Sequence, residues 1–505
     1  MPLAPEERID VPLSKALDGG RHLALEGQSA HLSVGDDCEA GLLLEANRIV
    51  DGAVFGPLQL SRVDLSTLVP LLGLEQLGRP QETADDVGAG REHGRNANTP
   101  AGTVIATRAA RRRRLMRDIL VLCPQERDIT AIRSANLGDR YRVHFEGSDL
   151  DQLDDFDPVP FLASLDGIAA DGVIGTKDQS ALLASLVARE RGLPSPTPEA
   201  LIACQHKLRS RERQRAVAPE ATPDFALLGE QPPFDFPFFA KPVVGRLSQN
   251  AYRIDDAEDL LGLHEMDSYT TRYARIAALA GADPDAVHGF IAEQLLSGDE
   301  VTLEGYVHGG RVTTIGVTDS VKYPGTFSFH RFEYPSSLSE SCQDELADVA
   351  SRVLPALGFD DGFFNVEFFI TQKGPAQIIE VNGRIASQFA PLVQGLHGRS
   401  PYEALFELAS GEDPKWETGI PDGVAVSYVV RVFEDAFVEA VPDPEEGLEL
   451  LVRPGLFLSE QGLNDAVSYR LAILYGFGET REEAVETCRA RAASLSFRLA
   501  PAPVR

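Results

Sequence analysis

Two short β-rich runs, Gly362-Phe-Phe-Asn-Val-Glu-Phe-Phe-Ile370 and Ala376-Gln-Ile-Ile-Glu-Val-Asn382, flank a Thr-Gln-Lys-Gly-Pro turn signal. No other stretch restricts the fold as tightly, because this pattern predicts a β-hairpin whose register can be read off. A turn centred on Lys373-Gly374 sets Glu367 opposite Glu380 and Asn365 opposite Asn382. All four then share one face, since side chains two apart in a strand point the same way. The other face is Phe, Val and Ile, which predicts buried strands rather than a solvent-facing hairpin. Like charges directly opposite are destabilising, so two facing carboxylates need a reason. A divalent cation supplies one: Mg²⁺ takes hard oxygen ligands, typically one or two carboxylates plus substrate phosphates. Arg384, two residues beyond Asn382, adds a permanent cation suited to a transferring phosphoryl group or an anionic intermediate.

The rest of the chain narrows the class. A net charge of −30 argues against general binding to nucleic acid or an anionic membrane, while leaving room for a nucleotide in a locally basic cleft. Hydrophobic residues make up 43% and charged residues 25%, so the 505 residues are ordinary for soluble globular protein and long enough for roughly three or four domains. Cys38, Cys123, Cys204, Cys342 and Cys488 are scattered, without metal-ligand spacing, as expected of reduced thiols. With no export signal at the N-terminus and no membrane-length apolar run, the expected location is the cytoplasm.

Residues 1 to about 78 show apolar runs but no chemistry, and a Gly-, Arg- and Asn-rich stretch to about 110 reads as a linker. The basic run Arg111–Arg114 is read as a solvated segment. Apolar strand candidates at Asp118–Cys123, Tyr141–Phe145 and Gly172–Gly175 alternate with helical patterns, the last being Gln179–Arg191, which predicts a small doubly wound α/β unit. No Gly-x-Gly-x-x-Gly follows its first strand. Thr197-Pro198 opens a helix expected to run through Lys207 and Arg211. Phe236–Lys241 is a strand, and its terminal lysine beside Gly245-Arg-Leu-Ser248 can set an ammonium and backbone N–H groups on phosphate oxygens; a surface hairpin is the alternative. Phe290–Leu296 is predicted to lead through Ser297-Gly-Asp-Glu300 directly into the next strand. Ser339 caps a helix ending at Gly358, and the hairpin follows.

In this order the elements resemble the ATP-grasp superfamily over roughly residues 118 to 500, and within it the carboxylate–amine (amino-acid or peptide) ligases, with a biotin carboxylase-like C-terminal subdomain around Ala466–Ala484. The resemblance implies that Lys207 and Lys241 contact ATP phosphates. It implies that Glu293, in Glu293-Gln-Leu-Leu296, recognises the adenine amine at the interlobe hinge, and that Glu300 meets the ribose. It further implies that Glu367, Glu380 and Asn382 hold Mg²⁺ or Mn²⁺, and that Arg384 contacts the reacting group. Lys322 and His330 are candidates for positioning the γ-phosphate or the second substrate, with an ordinary surface role as the alternative. Gly245-Arg-Leu-Ser-Gln-Asn is poorer in Gly than the family's phosphate-covering loop.

The fold class expected is therefore mixed α+β and α/β, an ATP-grasp fold preceded by a small doubly wound α/β domain and an N-terminal extension. The expected divisions are residues 1–110, 111–196, 197–415 and 416–505. The expected function is an ATP-dependent ligase that activates a carboxylate as an acyl phosphate and joins it to an amine, amino acids being the expected substrates, with no nucleic-acid or membrane partner and with room for a homodimer. A bicarbonate-activating carboxylase, another ligase of the superfamily and a non-catalytic nucleotide-binding module are the alternatives.

Overall fold

A computed structural model describes residues 116–501, apart from 154, 247–248, 265–266, 372–373, 418–420, 462–464 and 466–467, together with four short strands between residues 31 and 55. The chain divides into two compact units, Met1–Asn98 and Thr99–Arg505. In the first, His31–Val34 pairs antiparallel with Ala40–Leu43, and Arg48–Val50 with Ala53–Phe55.

The second unit begins with three parallel strands in the order Tyr141–Glu146, Arg117–Leu122, Gly172–Gly175. The central strand is apolar because both its faces are covered, and Ile119 to Leu122 are fully buried. Helices Glu126–Ser134, Pro158–Ser164 and Asp178–Arg191 follow the strands, the last ended by Gly192 at φ 67°. This is the expected α/β unit.

The predicted single helix from Thr197 is instead two, Pro198–Gln205 and Lys207–Val217, broken at His206 (ψ 98°). The His206 Nδ1 accepts from the Arg209 amide at 3.4 Å and so caps the second helix, an interaction that favours a restart over continuation. The break puts Lys207 in a first turn, where its amide donates to the Val243 carbonyl at 2.8 Å.

Two antiparallel sheets follow. One has four strands in the order Tyr252–Ile254, Phe238–Pro242, Phe290–Gln294, Phe225–Leu227. The other has eight, in the order Gln377–Asn382, Gly362–Ile370, Asp299–His308, Arg311–Lys322, Phe329–Tyr334, Val424–Val432, Tyr469–Gly478, Leu448–Leu450. Two expectations change here. The strand at Phe290 stops at Gln294, and the chain crosses to the larger sheet before Asp299. The crossing needs Gly298, at φ 154°, where a Cβ would sit 2.3 Å from the Ile370 carbonyl oxygen. The C-terminal strands, moreover, extend the same large sheet through the pairing of Phe329–Tyr334 with Val424–Val432. Helix Glu340–Ala356, capped by Ser339, packs its Leu346, Val349, Val353 and Leu354 into the main core. None of the described helices is long and apolar enough to cross a membrane.

Candidate active site

The hairpin pairs Asn365 with Asn382 and Glu367 with Glu380, in the predicted register. Toward the turn the pairing slips by one residue, so that Phe368 faces Ile378 and Ile379 is the extra residue of a β-bulge. The bulge turns the Ile379 carbonyl to two cations: Arg211 donates to it at 2.8 Å and Lys241 at 3.2 Å.

These cations form a buried cluster. The Glu293 carboxylate takes Arg211 Nε at 2.7 Å on one oxygen and Lys241 Nζ at 2.8 Å on the other. Burial opposes its ionisation, but Arg211 and Lys241 hold it down to about 2. Each of its two oxygens thus faces one buried cation. Glu293 through Leu296, the stretch expected at the adenine amine, line the adjoining cavity. Glu293→Gln is expected to destabilise the fold by about 3–5 kcal/mol, because it leaves two buried cations facing a neutral amide. A melting curve checks this, and an unchanged melting temperature would contradict it. A group whose pKa is depressed on folding contributes stability above its unfolded value and loses it in acid. This contribution should therefore be intact above pH 4.5 and fade as pH falls toward 2.

Lys207 is buried, not solvated. Its Nζ sits 3.0 Å from Glu380 and 3.4 Å from the Gly245 carbonyl oxygen. A cation in the first turn of a helix opposes the helix dipole, so Lys207 depends on Glu380, or on another anion, at this point. Lys207, Lys241 and Arg211 all border a cavity of about 440 Å³ that also takes in Leu296, Glu300, Lys322, Glu367 and Glu380. Lys322 pairs with Glu300 at 2.6 Å and lies over the Phe327, Phe329 and Phe369 rings.

A second cavity, of about 380 Å³, lies at the carboxyl ends of the parallel strands and reaches Arg384, Asn365 and Glu367. That is where an open α/β sheet usually holds its ligand. The two cavities share Arg246, Glu300, Phe329 and Glu367. Arg384 borders the second cavity, with Nε 2.9 Å from Asp178 and Nη2 3.3 Å from Asn382 Oδ1.

One candidate falls elsewhere. His330 borders neither cavity. It is the unpaired residue where the Lys322–Phe329 and Val321–Arg331 pairings slip, and its ring packs between Tyr323 and Tyr428, donating to or accepting from the Tyr428 hydroxyl at 2.8 Å. Ser248 lies outside the described residues. Sequence reasoning, conversely, missed Arg211, Asp178 and Arg246. Arg211 lies one helical turn beyond Lys207, on the same face, which was the available signal.

Electrostatics fit a hard divalent cation between the glutamates. Burial, then Glu380 and Glu300, push Glu367 well above the carboxylate range. Burial acts on Glu380 too, yet Lys207 and Lys241 hold it below that range. A bound Mg²⁺ or Mn²⁺ would relieve the repulsion that separates the pair. Among the described residues no group of three His, Cys, Asp or Glu side chains is placed to hold a metal ion, so the glutamate pair would be two ligands of a larger shell. Asn382 lies beside the pair but turns its Nδ2 to Glu367, at 3.2 Å, and to Asn365, at 2.9 Å. As placed it supports the carboxylates, and ligation through Oδ1 requires its amide to turn over.

A helix-start lysine, a strand-end lysine and a carboxylate pair on a hairpin are set around a cleft bordered by two antiparallel sheets. Residues 234–391 match the ATP-grasp domain family, and the chain contains an ATP-grasp domain on the ATP-grasp fold. L-amino acid ligase from Bacillus licheniformis has the same fold, with a TM-score of 0.61 at 18% identity, over 76% of this chain and 98% of that one. Phosphoribosylglycinamide synthetase from Anaerococcus prevotii gives 0.55 at 13% identity over 76% and 100%. Biotin carboxylase from Campylobacter jejuni gives 0.54 at 13% identity over 76% and 92%. An uncharacterized protein of Sinorhizobium fredii, y4rH, is 27% identical over 313 residues, which are 57% of this chain and 60% of that protein. The chain thus spans less than two thirds of that relative's length.

Proposed function

We propose that this chain is an ATP-dependent carboxylate–amine ligase, joining substrates of the amino-acid or dipeptide type and releasing ADP and phosphate. The observation that carries this reading is the meeting of two cavities at Glu300, Arg246 and Glu367. A nucleotide in the cavity bordered by Lys207 and Lys241 would direct its γ-phosphate toward that junction, and an acid in the other cavity would reach it from the opposite side. The volumes, about 440 and 380 Å³, suit small molecules.

In this mechanism a carboxylate oxygen attacks the γ-phosphorus, the β–γ bridging P–O bond breaks, and ADP leaves. Lys207 and Lys241 neutralise the phosphates, and Arg384 grips the carboxylate or the transferring group with its two-pronged fork. Glu367 and Glu380 would hold Mg²⁺ or Mn²⁺, which supplies charge neutralisation to the phosphates. The amine nitrogen then attacks the acyl carbon, the C–O bond to phosphate breaks, and the amine gives up a proton. Positioning does most of the work in such a transfer. Asp178 orients Arg384, and the buried Glu293 cluster fixes Lys241.

Hydroxylamine tests the intermediate. With ATP, a divalent cation and a panel of amino acids, at least one acid should yield a hydroxamate together with ADP and phosphate. AMP and pyrophosphate as products would mean adenylation and overturn the mechanism. ATP consumption with bicarbonate and no amine would favour a carboxylase instead.

A further inference from the structure

We propose that Asp128 is a positioning residue for the Arg384–Asp178 pair, a role that rests on the ligase reading above. Its carboxylate is fully buried, and donors reach both of its oxygens. One oxygen, Oδ2, accepts from the Thr176 hydroxyl at 2.6 Å and from the Gln125 amide at 3.0 Å. The other, Oδ1, accepts from the Ser387 hydroxyl at 2.6 Å and from the Tyr402 hydroxyl at 2.5 Å. Thr176 stands two residues before Asp178, where the parallel strand Gly172–Gly175 passes into its helix. Ser387 stands three residues after Arg384, just beyond the hairpin arm that ends at Asn382. One carboxylate thus fixes the two chain segments whose side chains meet in the Arg384–Asp178 bond at 2.9 Å.

Local chemistry accounts for only part of this arrangement. Asp128 is the third residue of the helix Glu126–Ser134, and its bond from the Gln125 amide is a capping-box contact. That bond alone does not require burial. Burying a carboxylate is costly unless hydrogen bonds satisfy it, and here three hydroxyls from distant segments do so. Its charge also lies in the first turn of a helix, where the dipole favours an anion. Burial, then Asp128, push the Tyr402 phenol well above its ordinary value, which keeps it a donor. Gln125, Thr176 and Ser387 border the second cavity while Asp128 itself does not, so the carboxylate braces the wall from behind. Arg384 needs such bracing, because a misplacement of about 1 Å in a reacting geometry can cost about a hundredfold in rate.

The test removes the two hydroxyls one at a time, with Thr176→Val and Ser387→Ala. Turnover is read as hydroxamate formed from ATP, Mg²⁺, hydroxylamine and an equimolar mixture of the common L-amino acids. Each variant should lower turnover by about ten- to a hundredfold while the KM for ATP stays within about twofold. Thr176→Ser, which keeps the hydroxyl, should recover most of the loss. In the Arg384→Lys background the same substitutions should cost no more than about threefold, because effects that act through one another do not add. A full additional loss in that background would overturn the assignment, as would unchanged turnover in the folded single variants. The two substitutions act on opposite oxygens, so either one carries the test if the other fails to fold. Additive losses in a protein that does form hydroxamate would remove this inference alone. If the unaltered protein forms none from these acids, the ligase reading fails and this inference fails with it.

Discussion

Glu380→Gln should leave the fold standing and cut ATP turnover by roughly 10²–10⁴-fold, the loss expected when several kcal/mol of metal-assisted charge stabilisation disappears. The side chain is 24% exposed, and the lost ion pair with Lys207 is offset by relief of the repulsion between Glu380 and Glu367, so the melting temperature should move little. Turnover should suffer for two reasons. The hairpin loses one of two facing carboxylates, and Lys207 loses the anion that keeps it aimed at the junction. The half-saturating concentration of Mg²⁺ should rise as well, which separates a lost metal ligand from a lost lysine partner. Normal turnover in a folded variant would remove the metal assignment from this hairpin.

Arg384→Lys should lower kcat by about 10²–10³-fold, the scale of removing one donor from a developing anion, while the KM for ATP stays nearly constant. The guanidinium spans two supports at once, Asp178 at 2.9 Å and Asn382 at 3.3 Å. An ammonium is a single point and cannot hold both while presenting a fork to a carboxylate. The split between kcat and the KM for ATP follows from position, since Arg384 borders the second cavity rather than the one lined by Lys207 and Lys241. Asp178→Asn should reproduce part of the defect, because it weakens the charge that orients Arg384 without touching the fork. If Arg384→Lys raised the KM for ATP and spared kcat, the residue would belong to nucleotide binding instead.

The sequence by itself determined whatever depends on neighbours along the chain. The Glu367–Glu380 and Asn365–Asn382 pairings follow from a two-residue period and one turn, and both are present. The helix caps at Thr197 and Ser339 are local chemistry, and each was legible for that reason. The general form of an α/β unit followed by a two-sheet clamp came from the order of such elements. The tertiary structure decided the rest. The Arg211–Glu293 bond joins residues 82 apart and the Arg384–Asp178 bond residues 206 apart, so neither leaves a pattern in any window of sequence. Irregularities in pairing were equally hidden. A slip of one residue gives Ile379 its cavity-facing carbonyl, and another sets His330 aside between two tyrosines. Whether a side chain of suitable chemistry reaches the site is settled by such slips and by long-range charge pairing, because both depend on which strands and helices the core brings together.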